Sequence, residues 1–184
     1  MDDNVLLAKY LSGNEAALTI LVERYQKELY RFIYRQIGNE ADAADVTQKV
    51  FVSLFLKAKQ FEGKSSFKTW LYQIAVNLCK NHFRSNDRRK ESSGDDDALD
   101  IMQDDTKAED YILSEYRSIL KAAIDELPNK QRATMQLRVY QECTFAEIAS
   151  ILSSPLGTVK ACYHQAVLSL TKSLKEGAYE ANEL

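Results

Sequence analysis

The sequence predicts an all-α fold: two small helical domains joined by a flexible acidic linker, the C-terminal one a helix-turn-helix. Three observations predict it. Apolar residues recur at three- and four-residue steps, the helical period, and no strand-like alternation stands out. Only 6 of the 184 residues are Gly and 2 are Pro, so long uninterrupted helices form easily. Residues 86–108 are polar, acidic and poor in large apolar side chains, so no packed core is available to them. The expected division is therefore 1–85, a linker over 86–108, and 109–184.

In the first domain, Leu18, Leu21, Val22, Tyr25, Leu29, Phe32 and Ile33 mark one helical face. Gly38-Asn39 ends that helix. A second stripe, Val46, Val50, Leu54 and Phe55, runs through Asp42–Lys59. Glu62-Gly63-Lys64-Ser65-Ser66 is a loop, and Ser65 or Ser66 can cap the helix after it. Phe67, Trp70, Leu71, Ile74 and Leu78 then form the apolar face of a third helix, which assigns Trp70 to the core. The C-terminal domain is expected to be helical over Tyr111–Leu127, Lys130–Tyr140, Thr144–Leu152 and Leu156–Leu174, with Pro128 breaking after the first. There is no internal repeat.

Composition excludes several classes. Hydrophobic residues make up 45% and charged residues 28%, ordinary for a globular chain. No stretch reaches the roughly 18 apolar residues of a membrane span. Met1-Asp2-Asp3-Asn4 is acidic and leads into a short apolar run, without the basic start of a secretory signal, so the expected place is the cytoplasm. Cys79, Cys143 and Cys162 are odd in number and widely spaced, which is no disulfide framework. With His82 and His164 they could be imagined as a zinc site, but no CxxC or HxxxH spacing supports one, so no metal or cofactor is expected.

The net charge of −3 hides a segregation. Residues 64–90 hold seven bases against one acid, a balance of +6; residues 91–110 hold nine acids against one lysine, a balance of −8. A polyanion-binding face followed by a polyanion-like segment fits that pattern.

Two segments carry DNA-binding chemistry. Thr144-Phe145-Ala146-Glu147-Ile148-Ala149-Ser150-Ile151-Leu152 reads as the first helix of a helix-turn-helix. Thr144 and Glu147 have capping-box spacing, and small Ala149 lets a second helix approach. Ser153-Ser154 supplies the turn, with Ser154 as N-cap and Pro155 as the first helical residue. Gly157, Thr158, Lys160, Ala161 and His164 then lie near the N-terminal half of the second helix, which faces the major groove in this motif. A plain helical hairpin would show the same periodicity, but not the cap, turn and small residue together. In Lys64–Arg84, aromatic Phe67, Trp70, Tyr72 and Phe83 interleave with Lys68, Lys80 and Arg84, while Gln73, Asn77 and Asn81 share a face. Aromatic faces stack on unpaired bases, cations neutralise phosphates and amides read base edges. Phe67, Trp70, Leu71 and Ile74 are better read as core, and the loop and the polar helical face carry the DNA-binding reading.

Four segments resemble one family. Asp42-Ala43-Ala44-Asp45-Val46-Thr47-Gln48-Lys49-Val50-Phe51 resembles the D-A-E-D-L-T-Q-E-V-F signature of extracytoplasmic-function (ECF) sigma factors. Phe61-Glu62-Gly63-Lys64-Ser65-Ser66-Phe67-Lys68-Thr69-Trp70-Leu71 resembles its F-x-G-x-S-S-F-x-T-W-L. Leu127–Arg132 resembles L-P-x-x-x-R, and Gly157-Thr158-Val159-Lys160 resembles G-T-V-K. They come in family order and at family spacing.

The resemblance implies a division of labour. Asp42, Asp45, Gln48, Lys49, Val52 and Phe55 would meet core RNA polymerase at the clamp helices of its largest subunit. Phe61, Lys64, Ser65, Ser66, Phe67, Lys68, Gln73, Asn77, Lys80, Asn81 and Arg84 would read and melt the −10 promoter element, with a flipped base held by the loop. Arg132, Thr144, Thr158, Lys160, Ala161, Tyr163, His164 and Gln165 would read the duplex −35 element beside the polymerase flap. The acidic linker would thread polymerase channels built for nucleic acid, and an anti-sigma protein would wedge against both domains. The chain departs from the family in replacing the basic run after G-T-V-K with Ala161-Cys162-Tyr163-His164-Gln165-Ala166-Val167, and in reading Ser153-Ser154-Pro155 where the family has G-I-S. Lost arginines imply fewer phosphate contacts and a weaker salt dependence at the −35 element.

Two other readings stand beside this one. A free-standing helix-turn-helix regulator with a helical sensor domain explains the C-terminal half but not the basic, Trp-containing segment. An enzyme would need a Gly-rich phosphate loop, a nucleophile elbow or a metal cluster, and none is present in the sequence.

Overall fold

The computed structural model describes residues 1–90 and 120–181, with side chains over 1–86 and 120–175. Every regular element among the described residues is helical: α1 (Asp3–Leu11), α2 (Glu15–Ile37), α3 (Glu40–Lys57) with a 3₁₀ turn at Ala58–Gln60, α4 (Phe67–Lys90), α5 (described over 120–125), α6 (Asn129–Val139), α7 (Phe145–Leu152) and α8 (Leu156–Ala181). The chain divides into two compact units. The expected linker beyond residue 90 and the Tyr111–Leu127 helix before residue 120 lie outside the described residues.

Local chemistry sets the helix ends. Asp2 caps α1, its carboxylate accepting the Asn4 N–H at 2.9 Å. Gly38 closes α2 in the left-handed conformation (φ 81°), which glycine reaches without a Cβ penalty. Asn39 opens α3 by accepting the Asp42 N–H at 3.0 Å, and Glu40 and Asp42 place negative charge at the positive end of the helix dipole. Each such cap is worth about 1 kcal/mol.

In the first unit α2 packs on α1, α3 and α4, and α3 packs on α4. Leu6, Leu7, Leu21, Leu29, Phe32, Ile33, Val46, Val50, Leu54, Phe67, Leu71 and Tyr72 are buried between them. Each fully buried Leu or Phe contributes roughly 1.5–3 kcal/mol by leaving water. In the second unit α6 packs on α8, and Ala123, Leu127, Met135, Ala166 and Leu170 form the centre, with Leu120, Ile124 and Tyr163 at its edge.

Four expectations need correction. The N-terminal apolar run is a helix of its own, α1, whose nine residues are too few to show a clear period. The basic helix α4 continues to Lys90 rather than stopping near 85, because no Gly or Pro interrupts Ser85–Lys90. Phe55 belongs to no buried stripe: it is exposed on α3. Pro155, expected as the first helical residue, lies just before α8, which starts at Leu156. Pro155 is its N-cap position, since the Pro155 carbonyl accepts the first helical bond, from the Val159 N–H at 3.1 Å.

Candidate functional site

Helix α3 turns Ala43, Val46, Val50 and Leu54 inward, and this decides what faces out. Asp45, Gln48 and Lys49 are exposed, with Lys49 and Asp45 paired along the helix. One turn on, Val52 is 57% exposed, Phe55 59% and Leu56 68%. Three large apolar side chains at one end of a helix, rimmed by charge, are what a protein-docking patch requires. Leu56 was missed by sequence reasoning, although it stands four residues after Val52 and shares its face. Asp42 is set apart from the others: its carboxylate lies 3.5 Å from His82 Nε2 on α4, and Asn86 Nδ2 lies 3.0 Å from the same nitrogen.

The loop before α4 is held at its ends. The Phe61 N–H donates to the Ala58 carbonyl (3.2 Å), Gly63 takes φ 68°, and Lys64 pairs with Glu62. Ser66, not Ser65, is the cap: its Oγ accepts the Thr69 N–H at 3.1 Å. Beyond the cap, Asn77, Lys80, Asn81 and Arg84 are exposed and Gln73 is half-buried at the same edge, so this amide face is largely presented to solvent. Lys68 is half-buried within the first turn.

The aromatics sort differently. Phe67, placed on the apolar face by its spacing and at DNA by the resemblance, follows its spacing: it is 1% exposed and packs on Tyr25 with ring centroids 5.6 Å apart. Tyr72 is buried edge-on against Phe32. Trp70, expected in the core, is only half-buried: one side rests on Phe61 (5.1 Å) and Phe67 (6.3 Å). Helical spacing marks an apolar stripe, and only the neighbours decide how far across that stripe the cover extends.

In the second unit the capping box is present in full. The Glu147 N–H donates to Thr144 Oγ1 (3.2 Å) and the Thr144 N–H to the Glu147 carboxylate (2.7 Å). Thr144 is thus committed to its own helix. The turn between α7 and α8 holds Ser153 at φ 49°. On α8, Thr158, Lys160, Ala161, His164 and Gln165 are exposed on one side, while Val159 and Ala166 are buried on the other. Tyr163 is half-buried edge-on against Phe145 (5.4 Å), so its ring belongs mostly to the packing. Arg132 also differs from expectation. Its guanidinium donates to the Asp125 carbonyl (2.8 Å) and to Asn129 Oδ1 (2.7 Å), closing the α5–α6 turn. Burial lowers its basicity, while the Asp125 carboxylate opposes that shift.

Among the described residues, no group of three His, Cys, Asp or Glu is placed to hold a metal, and no helix is long and apolar enough to cross a membrane.

Residues 21–89 match the Sigma-70 region 2 family and residues 117–170 the Sigma-70 region 4 family. The chain is 34% identical over 169 residues to the ECF RNA polymerase sigma-E factor of Escherichia coli (strain K12), with 87% of each chain covered. The chain belongs to the ECF sigma factors. A second relative, the RNA polymerase sigma-H factor of Pseudomonas aeruginosa, is 29% identical with 97% of each chain covered. The fold is shared with the sigma factor RpoE solved with the anti-sigma factor NepR from Bartonella quintana: TM-score 0.73, 21% identity, 85% of this chain and 96% of that one. It is shared too with CnrH, solved with the cytosolic domain of CnrY: TM-score 0.69, 22% identity, 95% and 97% covered. As a sigma factor the protein directs promoter-specific transcription by RNA polymerase. The free-standing regulator is set aside, since it left the segment now matched to region 2 without a role.

Proposed function

We infer that this sigma factor docks on core polymerase through the outer face of α3 and reads a melted −10 element with the 61–66 loop and the exposed edge of α4. One observation carries this: two neighbouring helices of one unit present an apolar patch (Val52, Phe55, Leu56) and an amide-and-cation edge (Gln73, Asn77, Lys80, Asn81, Arg84) that their own core leaves uncovered. An apolar patch suits a protein partner. A polar, cationic edge suits unpaired bases and phosphates, with Trp70 and Phe61 the aromatic faces nearest the loop. Thr158, Lys160, Ala161, His164 and Gln165 read the −35 duplex from α8. Phe67, Thr144 and Arg132 support these surfaces rather than form them. The site of action is the cytoplasm. A partner that covers the α3 patch inhibits the factor, in keeping with the complex with an anti-sigma factor in which its structural neighbour RpoE was solved.

The test is run-off transcription with purified core polymerase on sheared genomic DNA from the same source. The wild-type chain yields new discrete transcripts. Phe55→Asp, which charges the patch without touching the core, binds core polymerase at least tenfold more weakly and yields none. Background initiation alone from folded wild-type chain, or full activity of Phe55→Asp, overturns the assignment.

A further inference from the structure

We propose that α1 is a strut that sets the promoter-reading loop, and that Asn4 is a positioning residue for it. Helix α4 opens with backbone N–H groups that have no partner in their own helix. Ser66 supplies one, to Thr69. The N–H of Phe67, the first helical residue, is instead taken by Asn4 Oδ1 at 2.9 Å, from a side chain 63 residues earlier. The neighbouring residue, Asp3, accepts the Tyr25 hydroxyl and pairs with Arg24, both on α2. The Tyr25 ring in turn packs on Phe67. Two successive residues of α1 therefore grip α2 and the first turn of α4 together, and α1 is itself fixed by buried Leu6 and Leu7.

The grip falls at the point where the loop enters α4. Between Phe61 and Ser66 the loop crosses Gly63 in the left-handed region, and Glu62 and Lys64 are exposed. Its direction is therefore set at its two ends. One end is the 3₁₀ turn at Ala58–Gln60; the other is the cap at residues 66–67. Removing the Asn4 acceptor strands a half-buried amide, which recovers a partner only by letting water in or by rotating the first turn of α4. Either response moves Ser65 and Ser66 relative to the amide edge, while the α3 patch stays as it was.

This inference rests on the loop's proposed role, and the test separates the two. On a promoter found by run-off transcription, the full-length chain is assayed for core polymerase affinity by fluorescence anisotropy and for promoter opening by permanganate reactivity of unpaired thymines. Asn4→Ala is expected to leave core affinity within twofold and reduce opening at least tenfold at saturating core. Asn4→Asp keeps an oxygen acceptor at the helix N-terminus and restores opening. Lys64→Ala with Ser65→Ala tests the loop itself. Normal opening by Asn4→Ala alongside impaired opening by the loop variant overturns the strut and keeps the loop. Normal opening by the loop variant overturns both. Equal losses of core binding and opening in Asn4→Ala, without rescue by Asn4→Asp, reduce Asn4 to general stability and overturn the proposal.

Discussion

Cys79 sits in the middle of α4, buried against the core, and burial pushes its thiol from 9.0 up to about 12. Tyr25 is shifted in the same direction, first by burial and then by its hydrogen bond to Asp3. Both groups are held neutral by the fold, while the unfolded chain ionises them more easily. The sign follows: their contribution is complete below the unfolded pKa and is lost as pH rises through the folded one. Unfolding of the N-terminal unit, followed by the fluorescence of Trp70 (the chain's single tryptophan), should therefore become easier between pH 9 and about 12. Cys79→Ala lowers stability at neutral pH by leaving a cavity but flattens the alkaline decline. Parallel alkaline profiles for wild type and variant would refute this account. The same burial makes Cys79 a poor target for thiol reagents beside half-buried Cys162.

Turns and caps decide whether the helices meet at working geometry. Ser153 occupies φ 49°, a region that costs a residue with a Cβ about 1–2 kcal/mol. The family's G-I-S turn has glycine at this place, which is the physical reason for that letter of the pattern. Ser153→Gly should raise the stability of the C-terminal unit by up to about 1 kcal/mol, since glycine's greater freedom in the unfolded chain offsets part of the relief. The check is a denaturant melt followed by far-ultraviolet circular dichroism; a destabilised variant would mean that Ser153 makes a compensating bond. The α7 capping box was readable from Thr144 and Glu147 alone, because its three-residue spacing is dictated by the first helical turn. The one-residue shift at Pro155 was not readable, since Ser154 and Pro155 suit adjacent positions of the same turn.

Charge acts on the whole molecule. The +6 and −8 balances lie next to each other in the chain, so the acidic run lowers the local potential that would draw DNA to the basic one. Asp95→Asn, Asp96→Asn and Asp97→Asn together should strengthen binding of the free chain to a labelled duplex several-fold at low salt. The gain should vanish by about 0.5 M salt, where screening acts within roughly 4 Å. A gain that persists at high salt would point to a change of structure instead of charge.

The helices after α1, most of their boundaries, the helix-turn-helix and the two outward polar faces were legible in the sequence by itself, because period and capping are local: Gly38 ends α2, Ser65 or Ser66 opens α4, and Lys80 and Arg84 can only face water. Tertiary structure alone decided which aromatics are core and which are surface. Phe67 and Phe55 each fall on an apolar stripe of their helix, yet one is buried against Tyr25 and Trp70 and the other stands in solvent. It alone found the Asn4 bond to Phe67, for which no local pattern exists. The reason is physical: helical periodicity specifies that a stripe is apolar, but burial and long-range hydrogen bonds depend on which other element arrives to cover it.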